Sequence, residues 1–266
     1  MDTFQEKKLE ELLIKAANEP AHRPEFYSAL LKSTIYVIGD TGKNSTAAGQ
    51  QNLEAGSQIN IQSWETQDGK PVIPFFSSLE TLQKSIDNEL SYLALPANSF
   101  FEMTLGSTLF LNPKSDYGKE FTSNEVEQLL KNGLSQAATQ RVVEEETKVL
   151  LGQPENYPTQ MIDSLTQLLA KHSNVKKAYL ALMHDASVDK NPHLIVGIEA
   201  EGDIEKVISE VGNVAADSAP DGEVVDLFRV NLNESGLSQY FIESTQPFYV
   251  RKWGSKLRSL FGSGNS

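Results

Sequence analysis

His193, Glu199, Glu201 and Asp203 fall within the eleven residues HLIVGIEAEGD, and imidazole and carboxylate groups brought close together are the usual ligands of a divalent cation. Period-2 alternation makes this segment a strand, with Leu194, Val196, Ile198 and Ala200 on the inward face and His193, Gly197, Glu199 and Glu201 on the other. At about 3.3 Å per residue, His193 and Glu199 then stand roughly 20 Å apart, too far to share one ion. Asp203 precedes the next periodic segment in the position of an N-cap, where a carboxylate suits the helix dipole. The spacing predicts capping and a solvated face, and no metal site.

IGDTGKNSTAAG, residues 38–49, follows a strand and has the composition of a phosphate-binding loop. A P-loop needs four residues between its first glycine and a Gly-Lys pair followed by Ser or Thr. Here two residues separate Gly39 from Gly42, and Asn44 follows Lys43, so the segment reads as a surface loop. Covalent catalysis fares no better: there is no cysteine, no G-x-S-x-G, no H-E-x-x-H and no G-x-G-x-x-G, and the four histidines (His22, His172, His184, His193) have no nucleophile at motif spacing. No catalytic residue, metal site or cofactor is expected.

One local charge anomaly remains. RKWGSKLRSLF, residues 251–261, carries Arg251, Lys252, Lys256 and Arg258 with no acid, interleaved with Trp253, Leu257, Leu260 and Phe261. Arg251, Lys252, Trp253, Lys256 and Arg258 are therefore the interaction residues for an anionic membrane, a nucleic acid or an acidic partner surface. The alternative has Trp253 and Phe248 packing on the second domain while the basic tail balances its acidic face.

These groups are positioned by elements legible in the pattern. Leu9, Leu12, Leu13 and Ala16 make residues 5–17 an amphipathic helix, and a second helix starts near Pro24. TIYVIG is a strand and residues 40–57 a loop. WETQDGKPVIPFFSSLETLQ, residues 64–83, reads as strand, Asp68-Gly69 turn, strand and helix, with Ser77 and Glu80 as the capping box. Pro71 and Pro74 put its second strand at an edge or a bulge. A strand at YLALP, a short helix at NSFFEMTLG, a strand at TLFLNP and a helix around Val126, Leu129 and Leu130 complete the first half. Residues 133–158 read as a linker, with RVVEEETKVLLG the alternative of an ordered strand or helix closing the first domain. Beyond it come a helix (Met161, Leu165, Leu168, Leu169), strands at VKKAYLALM and HLIVGIEA, a helix (Ile204, Val207, Ile208, Val211), a strand at EVVDLFRV and a last helix before Pro247. The fold class is α+β: two compact mixed α/β domains, 1–132 and 159–258, joined by a linker.

The 266 residues suffice for two cores of ordinary size. A formal charge of −13 argues against a general nucleic-acid partner. No run reaches the roughly 18 apolar residues of a membrane span, the N-terminal residues have no signal-peptide pattern, and the lack of cysteine gives no hint of an oxidising compartment, so the expected location is cytoplasmic.

EPAHRPEFYSALLKST, DGKPVIPFFSSLETL and FEMTLGSTLFLNPKSDYGKEF in the first half, with QMIDSLTQLL, LIVGIEAEGDIE and PFYVRKWG in the second, resemble the SseB family of enhanced serine sensitivity proteins over nearly the whole chain. The resemblance implies an SseB N-terminal and an SseB C-terminal domain, with no catalytic residues to carry over and a link to amino-acid metabolism. Two functions follow: a non-catalytic regulatory protein that binds another cytosolic protein, or a small-molecule (amino-acid) sensor with its ligand held between the domains.

Overall fold

The computed structural model describes residues 3–41, 59–133, 149–185 and 191–251. The chain divides into two compact units, residues 1–136 and 137–266, and the architecture is α+β in both.

In the first unit α1 (Thr3–Asn18) and α2 (Arg23–Leu31) precede β1 (Thr34–Asp40). The predicted stripe Leu9, Leu12, Leu13 and Ala16 is buried, together with Phe26, Tyr27 and Leu30 of α2. Next come β2 (Asn60–Ile61), β3 (Trp64–Glu65), β4 (Pro71–Phe75), α3 (Leu79–Ser85), β5 (Tyr92–Pro96), α4 (Ala97–Met103), β6 (Leu109–Leu111), β7 (Lys119–Phe121) and α5 (Ser123–Asn132). They form two sheets, ordered β2-β1-β5 and β3-β4-β6-β7. Tyr36 and Phe76 exchange backbone hydrogen bonds of 2.9 and 2.8 Å and tie the two together.

Three expectations are corrected here. The predicted strand upstream of the Asp68-Gly69 turn is two short ones, β2 pairing with β1 and β3 with β4. β4 is interior to its sheet, with β3 on one side and β6 on the other. Pro74 is tolerated because Ile73 donates to Thr108 and Phe75 accepts from Asn112, at the two ends of β6, so Pro74 turns its missing amide to the opposite side, beyond the two residues that β3 covers. The capping box of α3 belongs to Ser78 and Thr81, not to Ser77 and Glu80. Ser77 is instead sealed inside, where its Oγ donates to Glu10 Oε1 at 3.0 Å and accepts from Asn112 Nδ2 at 2.9 Å. Ser78 Oγ donates to the same Glu10 oxygen at 2.7 Å. The network clamps α1 onto the β4–α3 turn.

In the second unit β8 (Leu150–Gly152) leads to α6 (Thr159–Ala170), β9 (Val175–His184), β10 (His193–Ala200), α7 (Glu205–Ser218), β11 (Val225–Arg229), α8 (Leu237–Ser244) and β12 (Pro247–Val250). The sheet runs β11-β10-β9, and β12 and β8 share the other edge of β9 end to end, along Lys177–Tyr179 and Leu182–His184. β8 lies within the stretch read as a linker, so its ordered part belongs to the second sheet and does not close the first domain. Residues 134–148 lie outside the described residues.

Leu194, Val196 and Ile198 are buried on one face of β10 as the alternation requires. The opposite face is not solvated, which corrects the expectation: α8 covers it, and Phe241 packs with Tyr179, Ala181, Met183 and Ile195. No helix among the described residues is long and apolar enough to cross a membrane.

Candidate functional site

Antiparallel pairing sets Val250, Lys177 and Glu199 in one row across β12, β9 and β10. Around this end of the sheet lies a concavity of about 480 Å³, to which Lys176, Lys177, Glu199, Glu201, Leu232 and Arg251 contribute. Its lysines and glutamates are matched internally. Lys177 Nζ is 3.7 Å from Glu199 Oε2, Tyr179 donates its hydroxyl to the same oxygen at 3.3 Å, and Lys176 Nζ is 3.1 Å from the exposed Glu201. Beside these pairs Leu232 and Val250 stay 64% and 51% exposed. The arrangement suits recognition of a polar or peptide-like group by side-by-side cation and carboxylate with an apolar rim. It offers no nucleophile–base pair.

Of the five interaction residues read from the sequence, the structure describes Arg251. Its amide continues the β12–β9 ladder by donating to Lys176 O at 2.8 Å. Its guanidinium donates at 2.7 Å to the carbonyl of His172 just past α6, which also accepts from the amide of Val175 at 3.3 Å. Arg251 thus anchors the point from which the basic segment departs, at the rim of the concavity. Lys252, Trp253, Lys256 and Arg258 lie outside the described residues, as does the glycine-rich loop from Gly42 to Gln58.

The acidic cluster of the sequence is dispersed. His193 sits at the far end of β10, where Nε2 is 2.9 Å from the buried Asp226 carboxylate. Glu199 and Glu201 are held by the lysines just described. Asp203 accepts from the amide of Glu205 at 3.0 Å, at the start of α7. Among the described residues no three His, Asp or Glu side chains converge as a metal site would require. Sequence reasoning missed the concavity because it depends on β12 lying against β9, and PFYV is too short for its period to register. The exposed Leu232, isolated among Asn231, Asn233 and Glu234, was the one available signal.

Burial, then the charge and hydrogen bond of Glu199, raise the Tyr179 phenol to about 12. Burial, then the Glu6 carboxylate that accepts its hydroxyl at 2.7 Å, raises Tyr36 as well. A phenol raised in the folded state stabilises the fold fully below its unfolded pKa and loses that contribution as pH climbs. Stability is therefore expected to fall as pH rises from 10 toward 12, where Tyr179 ionises. Tyrosinate absorbance should show Tyr36 and Tyr179 titrating late. A single early midpoint for all eight tyrosines in the folded chain would contradict the two hydrogen bonds.

The comparisons with known proteins agree with the two-unit division. Residues 9–128 match the SseB protein N-terminal domain and residues 143–251 the SseB protein C-terminal domain. The chain is 42% identical over 252 residues to Protein SseB of Escherichia coli strain K12, covering 95% of each chain. It has the same identity and coverage with Protein SseB of Shigella flexneri. No solved structure matches. Both halves of the chain, in their order and nearly to full length, place it in one family: this protein belongs to the SseB family.

Proposed function

We propose that the chain is a non-catalytic regulatory protein that binds another cytoplasmic protein through the β12 end of its second unit. The observation that carries this reading is the rim of the concavity, where exposed Leu232 and Val250 flank neutralised ion pairs. Apolar anchors beside polar groups characterise protein interfaces, and from Arg251 the chain continues into Lys252, Trp253, Lys256 and Arg258. The link to amino-acid metabolism rests on the serine sensitivity for which the family is named.

The test is affinity capture from bacterial lysate with the tagged full-length chain. A near-stoichiometric protein is expected, reduced about tenfold or more by Leu232→Asp with Val250→Asp, since loss of two anchors is worth several kcal/mol. Charge reversal at Lys252, Lys256 and Arg258 should weaken capture and its salt dependence together. Capture of nothing above background overturns the proposal. The second reading, an amino-acid sensor, is favoured by one feature: Lys177 and Glu199 side by side offer partners to both ends of a zwitterion. Thermal stabilisation by a free amino acid, lost in Glu199→Gln, would select it.

A further inference from the structure

We propose that the outer edge of β5 pairs with the same edge of a second copy of this chain, joining two first units into one continuous sheet across a two-fold axis. This surface is separate from the concavity, and the inference does not rest on the function proposed above. β5 ends the order β2-β1-β5. Its pairing to β1 is regular from Thr34↔Pro96 to Ile38↔Tyr92. Ala97 donates to Ser33 O and Gly39 donates to Ser91 O. Antiparallel strands alternate the side to which each residue turns its amide and carbonyl. Ser91, Leu93 and Leu95 therefore face β1, while Tyr92 and Ala94 turn both groups outward, and no described strand receives them.

Edges of this kind are normally blunted by charge, proline or a bulge. β7 carries Lys119 and Glu120, β11 carries Asp226 and Arg229, and β12 has a register shift between Pro247 and Tyr249. β5 has none of these before Pro96. Residues 90–101, LSYLALPANSFF, contain no charged side chain in a chain of net charge −13. Two copies therefore meet here without setting like charges of this stretch together.

The pairing is self-complementary. With Leu93 opposite Leu93 of the second copy, each Tyr92 faces Ala94 of the other. Those two pairs exchange four N–H···O=C bonds, and a large side chain lies against a small one. The exposed Tyr92, already edge-on to Tyr36 at 6.0 Å, would be covered, together with the neighbouring exposed Leu90.

The test uses the purified full-length chain alone, with light-scattering mass and hydrogen exchange read between ~1 and ~100 µM so that mass action separates monomer from dimer. The expected result is a mass approaching twice that of the chain, with the Tyr92 and Ala94 amides exchanging at least about tenfold more slowly at the higher concentration. Ala94→Pro removes one outward amide without touching a bond to β1, and is expected to give a folded monomer. Should that variant fail to fold, Tyr92→Lys keeps every amide, places a charge on the edge and is expected to be monomeric too. A wild type monomeric throughout, a folded variant that still dimerises, or equal exchange at both concentrations overturns the proposal. So does a monomeric wild type whose capture of another protein is abolished by Ala94→Pro, which would assign the edge to that protein.

Discussion

Phe75→Ala lowers the unfolding free energy of the first unit by about 4 kcal/mol, the middle of the range for truncating a buried phenylalanine. Phe75 has no exposed surface, and its ring centre lies 5.3 Å from Phe100, 5.7 Å from Phe101 and 5.9 Å from Phe121. Such ring pairs add roughly 0.5–1.5 kcal/mol beyond area burial, so the loss exceeds the transfer term of one side chain. The surroundings cannot collapse into the void, because Phe75 is on a strand held by Ile73 and Asn112 through their amides. Urea unfolding gives the magnitude. Hydrogen exchange gives the location, with protection falling in α4, β6 and β7 and unchanged in β9 and β10. The density of special residues around DGKPVIPFF invites the idea of a ligand site. A loss below about 1 kcal/mol would fit a surface ligand contact and not a core position.

What the sequence made legible were the elements long enough to show a period. α1, α6 and α7 lie under their apolar stripes, and β1, β5, β9 and β10 lie where β-branched and apolar runs put them. β7, β8 and β12, of three to four residues, were not resolved as separate strands because a period of two cannot be established over so few positions. Their absence concealed the concavity, which exists only where β12 meets β9. The capping box moved by one residue because Ser77 and Ser78 are both able to cap, and the choice was made by Glu10 and Asn112, 67 and 35 residues away. The far face of β10 was read as solvated because nothing local reports that α8 returns to cover it. In each case local chemistry was right about the residue types, and long-range pairing decided their partners.

Gly197→Val is expected to destabilise the second unit by about 3 kcal/mol, because inserting bulk into a packed core forces its neighbours off their rotamers. Gly197 is central on β10, opposite Tyr179 on one side and Phe228 on the other. A β-carbon there would stand 2.9 Å from two ring carbons of Phe241 and 2.9 Å from a methyl of Val230. A glycine inside a strand weakens it in isolation. Here the missing side chain is what lets the Phe241 ring lie directly on the strand and α8 close the face. Phe241→Ala alone is also expected to be costly, by about 3–5 kcal/mol. The two changes should not add: the cavity left by the ring accepts the valine, and the double variant should recover at least about 1 kcal/mol relative to the sum. Strict additivity would mean that the ring and the strand do not share that space. The contact also reaches the candidate site, since Val230 leads directly into Asn231, Leu232 and Asn233 on the wall of the concavity. Gly197→Val should thus weaken partner capture even at temperatures where the variant stays folded, while Phe75→Ala, in the other unit, should leave capture by its folded fraction unchanged.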